Sequence, residues 1–177
     1  ELHVPKGDLM IGLLKDVLSF VLIFYFLSSI ILYIFQRNLI YFPTSDIAHD
    51  FKSEVFTNEG EKINVITLNE NKQKAILYFG GNAEAVIYNA NSFLQIFPKH
   101  TVYLVNYRGY GGSTGSPSEK GLYEDATYIY DELIKRHSGI SVIGRSLGSG
   151  IATCLASTRD IDKLVLVTPF DSIQKVA

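Results

Sequence analysis

Residues 140–150 read Ile-Ser-Val-Ile-Gly-Arg-Ser-Leu-Gly-Ser-Gly, and within them Ser146 has the setting of a reactive group. A short β-branched run leads into Gly144-Arg145-Ser146-Leu147-Gly148, and a small-residue helical pattern follows at once. G-x-S-x-G between a strand and a helix places the serine on a very tight turn, so that its hydroxyl stands above the sheet edge. The flanking glycines keep Cβ atoms out of a crowded, strained backbone. Because the turn also opens a helix, N–H groups there can face an oxyanion developing on an acyl group. The plainer competing reading is that Ser146 only caps the helix.

The elements that must hold Ser146 are legible on both sides of it. Ala75–Phe79 is a continuous apolar run ending in Gly80-Gly81-Asn82, followed by a helical pattern from Ala83 to Phe97. Thr101–Val105 repeats the logic and ends at Asn106-Tyr107-Arg108-Gly109. Ser116-Pro117-Ser118-Glu119 opens a helix running to His137. Ile140–Ile143 is a third buried strand, Leu147–Ser157 a helix and Lys163–Val167 a fourth strand. Ahead of them, Val55–Thr57 and Ile63–Leu68 alternate as a hairpin turning at Asn58-Glu59-Gly60. Apolar strands alternating with helices predict an α/β fold, with a mostly parallel sheet covered by helices on both faces. In such sheets ligands bind beyond the carboxyl ends of the strands, where the three glycine-rich loops converge.

Composition excludes several function classes. A net charge of −2, with a sequence pI of about 6.1, carries no nucleic-acid footprint. Cys154, the only cysteine, is expected to be a small buried core residue and permits no disulfide framework or cysteine metal site. His3, His49, His100 and His137 lack ligand spacing, and His137 is expected at a helix C-terminus. No lysine follows the glycines in a P-loop pattern and no G-x-G-x-x-G opens the first parallel unit, so no metal or organic cofactor is implied.

Val17–Phe35 is 19 residues without a charge, roughly 28 Å as a helix and close to the hydrocarbon thickness of a bilayer. Tyr33, Tyr41 and Phe42 are placed to anchor it at the interface. A cleaved signal peptide would show a shorter apolar core and a small-x-small site, and a buried globular helix is rarely apolar all round. The expected organisation is an N-terminal flank (1–16), a transmembrane anchor (17–35), a connector (36–54) and an α/β domain (55–177). Lys6 and Lys15 precede the span while Arg37 and Lys52 follow it, so charge assigns neither orientation.

Five segments in order resemble the α/β-hydrolase superfamily, and within it the membrane-anchored serine hydrolases that include lipases and depalmitoylases. They are Phe35-Gln36-Arg37-Asn38-Leu39-Ile40-Tyr41-Phe42-Pro43, Tyr78-Phe79-Gly80-Gly81-Asn82-Ala83, Asn106-Tyr107-Arg108-Gly109-Tyr110-Gly111, Ser116-Pro117-Ser118-Glu119, and the Ser146 turn. The resemblance implies that Ser146 is the nucleophile, with an oxyanion hole formed by the backbone N–H groups of Asn82 and Leu147. It implies hydrolysis of a carboxylic ester or thioester through an acyl-enzyme, on a lipid or lipidated-protein substrate beside the bilayer.

Two residues depart from the family pattern. Gly80 stands where the family has a histidine, removing a side chain expected to prop the loop, and Asn106 stands where aspartate is common. The triad order is Ser, then Asp or Glu, then His, yet all four histidines precede Ser146. Asp160 and Asp162 lie at the wrong end of a strand, and Asp171 reads as structural. The chain is therefore expected to be a fragment holding six of the fold's eight strands, without its acid and base. Alone it is expected to be inactive and, with an open sheet edge, poorly soluble. The alternatives are a non-catalytic anchored binding module of the same fold, and an acyltransferase using the same acyl-enzyme.

Overall fold

The computed structural model describes residues 6–169, with side chains from residue 10 onward. It divides into two compact units, residues 1–40 and 41–177. The first is the helix α1 (Lys6–Ile40), which from Met10 to Ile40 is long and apolar enough to cross a membrane. Its large apolar side chains are exposed all round within this unit, with Phe20 at 71% and Tyr33 at 75%. The helix outruns the apolar span of 17–35 at both ends, because Gln36-Arg37-Asn38 are compatible with helix and nothing breaks it before Pro43.

The second unit is built on a six-stranded sheet: β1 (Lys52–Asn58), β2 (Glu61–Leu68), β3 (Lys74–Phe79), β4 (His100–Val105), β5 (Gly139–Arg145) and β6 (Leu164–Val167). Their order in space is β1-β2-β4-β3-β5-β6. The β1–β2 hairpin is antiparallel and closes through Glu59 and Gly60, both left-handed at φ 50° and 84°, as the right-handed twist of a two-residue turn demands. β2 joins β4 antiparallel, and β4, β3, β5 and β6 run parallel. Phe79 stands opposite both Val105 and Gly144. The loops after β3, β4 and β5 therefore open at one level.

Helices cover the sheet on both faces. Val86, Ala90, Phe93, Leu94 and Phe97 pack against Ile66, Ile76, Tyr78, Val102 and Leu104 on one side. On the other side α3 (Glu119–Leu133) and α4 (Leu147–Thr158) pack on each other, and α4 lies over β3, β5 and β6. Leu77, Leu104, Ile129, Leu133 and Ile140 are fully buried, each contributing about 1.5–3 kcal/mol by leaving water. β6 is the sheet edge among the described residues, and its four side chains remain 38–45% exposed.

Several sequence expectations need correction. The helix expected from Ala83 begins later, as a 3₁₀ turn (Val86–Asn89) and the short α2 (Ala90–Ile96). Ala83 is left-handed at φ 58°, and the Glu84 side chain folds back onto the Gly81 N–H. The helix expected to reach His137 ends at Leu133. The His137 ring instead bonds the Tyr103 hydroxyl and the Lys72 carbonyl oxygen, so it caps no helix. Cys154 is half-buried rather than buried. Ser118 does cap α3, accepting from the Gly121 N–H.

One ion pair ties three elements together. Arg108, in the loop after β4, donates to both carboxylate oxygens of Asp125 on α3, at 2.6 and 2.9 Å. It also reaches Glu59 at the hairpin turn, 3.2 Å away, and Asn58 donates to Asp125. The side chains of Arg108 and Asp125 are 11% and 5% exposed. Arg108→Ala leaves the Asp125 carboxylate buried without its cation, and is expected to cost about 3–5 kcal/mol. Thermal unfolding of the detergent-solubilised protein checks this, and a loss under about 1 kcal/mol would show the pair to be solvated.

Candidate active site

β5 delivers Ser146 onto a turn at φ 47°, ψ −115°, a conformation costing about 1–3 kcal/mol that persists only when the surroundings enforce it. The enforcement is visible. The Ser146 N–H donates to the Val167 carbonyl oxygen at 2.9 Å, and its carbonyl oxygen accepts from Ser149 N–H at 2.8 Å. Ser146 occupies the N-cap position of α4, yet its side chain makes no capping hydrogen bond. That removes the observation a capping role requires. The next N–H, of Leu147, has no hydrogen-bond partner among the described residues, being one of the donors that a helix start leaves over.

The glycines of the turn are required by close approach. A Cβ on Gly144 would lie 2.3 Å from the Gly148 carbonyl oxygen, and one on Gly148 would lie 2.1 Å from the Phe79 carbonyl oxygen. β5, α4 and β3 therefore meet backbone to backbone, which brings the loop after β3 against the turn. A Cβ on Gly81 would stand 3.6 Å from the Ser146 Cβ.

That loop is held on three sides. Its Gly80 carbonyl oxygen accepts from the Tyr107 hydroxyl at 2.6 Å and from Gly148 N–H at 3.1 Å. The Asn82 side-chain oxygen accepts from the Tyr110 hydroxyl at 2.8 Å and from Phe42 N–H at 3.0 Å. The Gly81 N–H donates to the Glu84 carboxylate at 2.6 Å. Complete burial raises the pKa of the Tyr107 hydroxyl well above its ordinary value, and burial pushes Tyr110 up to about 12. Both hydroxyls thus remain donors at any physiological pH.

Ser146, Gly81, Asn82, Glu84 and Arg145 line one cavity of about 810 Å³, which also takes in Thr44, Tyr88 and Thr168. The segments around Phe42, Asn82, Tyr107 and Ser146, singled out separately in the sequence, converge here. Glu84, Tyr107, Tyr110 and Arg145 were not singled out as site residues. The signal available for Glu84 was an acid three residues beyond a Gly-Gly pair.

The two departures also have structural counterparts. The space above Gly80 is filled, since a Cβ there would meet Val86 Cγ1 at 2.9 Å and Glu84 Cδ at 3.2 Å. Asn106 is buried with its side chain against Gly111.

Among the described residues no histidine lines the cavity. The His49 ring lies tilted beside Phe51, and His100 and His137 meet Phe97 and Tyr103 edge to face. Asp162 pairs with Lys74, which begins β3, and Asp171 lies outside the described residues. Among the described residues no three His, Cys, Asp or Glu side chains gather as a metal site.

A family model described as the alpha/beta hydrolase fold matches residues 75–176. The lysophosphatidylserine lipase ABHD12 of Danio rerio is 34% identical over 123 residues, covering 61% of this chain and 31% of that protein. The Mycobacterium tuberculosis protein Rv2307c is 32% identical over 167 residues, covering 84% of this chain and 59% of that protein. An alpha-beta hydrolase from Vibrio vulnificus, known as a crystal structure, superposes with a TM-score of 0.59 at 25% identity, covering 71% of this chain and 48% of that one. The chain thus spans less than two thirds of each of these relatives.

Proposed function

Because this chain belongs to the α/β-hydrolase family, we propose that it is the Ser146-bearing part of a membrane-anchored serine hydrolase that cleaves carboxylic esters or thioesters. The observation that carries the reading is the Ser146 turn. Its backbone is strained, its hydroxyl caps nothing, and it faces a cavity shared with the loop of Asn82. The Ser146 hydroxyl attacks the acyl carbonyl carbon and passes its proton to a general base. The oxyanion that forms is stabilised by the N–H groups of Leu147 and Asn82, and collapse expels the alcohol or thiol to leave an acyl-enzyme. Water then attacks the acyl-enzyme and releases the acid. The base and its supporting acid are assigned to residues outside this chain, since none of the described cavity residues is a histidine.

Helix α1 supports anchoring in a bilayer, and the lysophosphatidylserine lipases among the relatives support a lipid-like ester as substrate. The other reading, a non-catalytic anchored module, draws on Gly80 and on the cavity without a histidine. The two separate in one experiment. The natural polypeptide in its own membrane fraction is treated with a fluorophosphonate probe, and the labelled peptide is mapped. The expected result is labelling at Ser146, with acid released from a lysophospholipid, and no turnover above buffer from residues 1–177 expressed alone. Absence of labelling in the natural polypeptide would favour the binding module. Robust turnover by residues 1–177 would overturn the assignment of the base.

A further inference from the structure

The Gly80–Gly81 pair is the most flexible dipeptide a loop can contain, whereas an oxyanion hole works only when its donors are fixed before the reaction. Something outside the pair must therefore immobilise it. The carbonyl end of the Gly80–Gly81 peptide is held by Tyr107 and Gly148. Its N–H end is held, among the described residues, by Glu84, whose Oε2 accepts from Gly81 N–H at 2.6 Å. Oε1 of the same carboxylate accepts from the Tyr78 hydroxyl at 2.6 Å and from Asn89 Nδ2 at 2.7 Å. Arg145, the residue before Ser146, places Nη1 3.5 Å from Oε2. The Glu84 side chain is 14% exposed, so these bonds form away from bulk water, where charge-assisted hydrogen bonds are strongest.

We propose that Glu84 is a positioning residue whose carboxylate locks the Gly80–Gly81 peptide and Arg145 into one arrangement, and so presets the Asn82 N–H against Ser146. The inference rests on the reading of Ser146 as nucleophile. Glu84 touches no reacting atom. It acts through the peptide on one side of the reacting carbonyl and through the residue preceding the nucleophile on the other. A carboxylate is needed because four donors surround it: an acid oxygen accepts on both sides, while the amide of glutamine would turn one acceptor into a donor facing other donors.

The test uses the natural polypeptide with p-nitrophenyl butyrate as the ester. Rates are expressed per site titrated by the fluorophosphonate, so that unfolded protein is not counted. Glu84→Ala is expected to lower kcat about 10²-fold with KM within about twofold, because only transition-state stabilisation is lost. Glu84→Gln, which keeps the volume and guards against a misfolded alanine variant, is expected to lower kcat about tenfold. Unchanged kcat per titrated site in both variants, or a raised KM with kcat preserved, overturns the proposal. Ser146→Ala is run alongside. If it alone abolishes turnover, failure of the Glu84 variants to respond counts against Glu84 only; if it remains active, the assignment of the nucleophile falls and Glu84 falls with it.

Discussion

Ser146→Ala in the natural polypeptide is expected to lower kcat for ester hydrolysis by about 10⁵-fold, to the level that binding and an oxyanion hole alone can sustain. The effect is this large because the hydroxyl is the group that becomes covalently bonded to the acyl carbon. Ser149, one turn further along α4, cannot substitute, because it donates its hydroxyl to the Ser146 carbonyl oxygen at 2.5 Å and is buried. Stability should change little. The hydroxyl of Ser146 caps nothing, and alanine accepts the same left-handed φ at a similar cost, so thermal unfolding is expected within about 1 kcal/mol of the parent. A variant retaining more than a tenth of the parent activity would remove Ser146 from the mechanism.

Gly148→Ala is expected to destabilise the domain by about 4 kcal/mol or more, beyond the usual penalty for overpacking. The added methyl carbon would sit 2.1 Å from the Phe79 carbonyl oxygen and 2.7 Å from that of Gly80. Both are backbone atoms, and Phe79 is the last residue of a central strand paired on both sides. Neither can swing aside as a flexible side chain would. Relief requires α4 to lift from β3, which separates the Ser146 turn from the Gly80–Asn82 loop. Thermal unfolding and fluorophosphonate labelling should therefore fall together. Parent-like stability would show that the two backbones are not in contact.

Much of the fold was open to reading from the chain alone. The four parallel strands announced themselves as short apolar runs, which in β3, β4 and β5 are buried between covering layers, and the Gly144–Gly148 turn because backbone contact tolerates few residue types. The apolar helix was legible for a simpler reason, since 19 consecutive uncharged residues reach the length of a bilayer's hydrocarbon core. Helix limits were less accessible. Ala83 is left-handed and the Glu84 side chain folds back onto the Gly81 N–H where a helix start was expected, and α3 ends at Leu133, four residues before His137, whose ring bonds Tyr103.

Sequence by itself determined the order of strands and helices, the serine on its strand-to-helix turn and the presence of three glycine-rich loops. These follow from periodicity and local sterics acting over a few residues. Only the tertiary structure decided that Phe42, Tyr107, Tyr110 and Glu84 all act on the Gly80–Asn82 loop. Phe42 is 40 residues from Asn82, Tyr107 is 27 from Gly80 and Tyr110 is 28 from Asn82. Such contacts arise when parallel strands bring their carboxyl ends to one level, and no local pattern encodes them. Glu84 finds Tyr78, Gly81 and Asn89 nearby in sequence, but Arg145 reaches it only once β3 and β5 lie side by side.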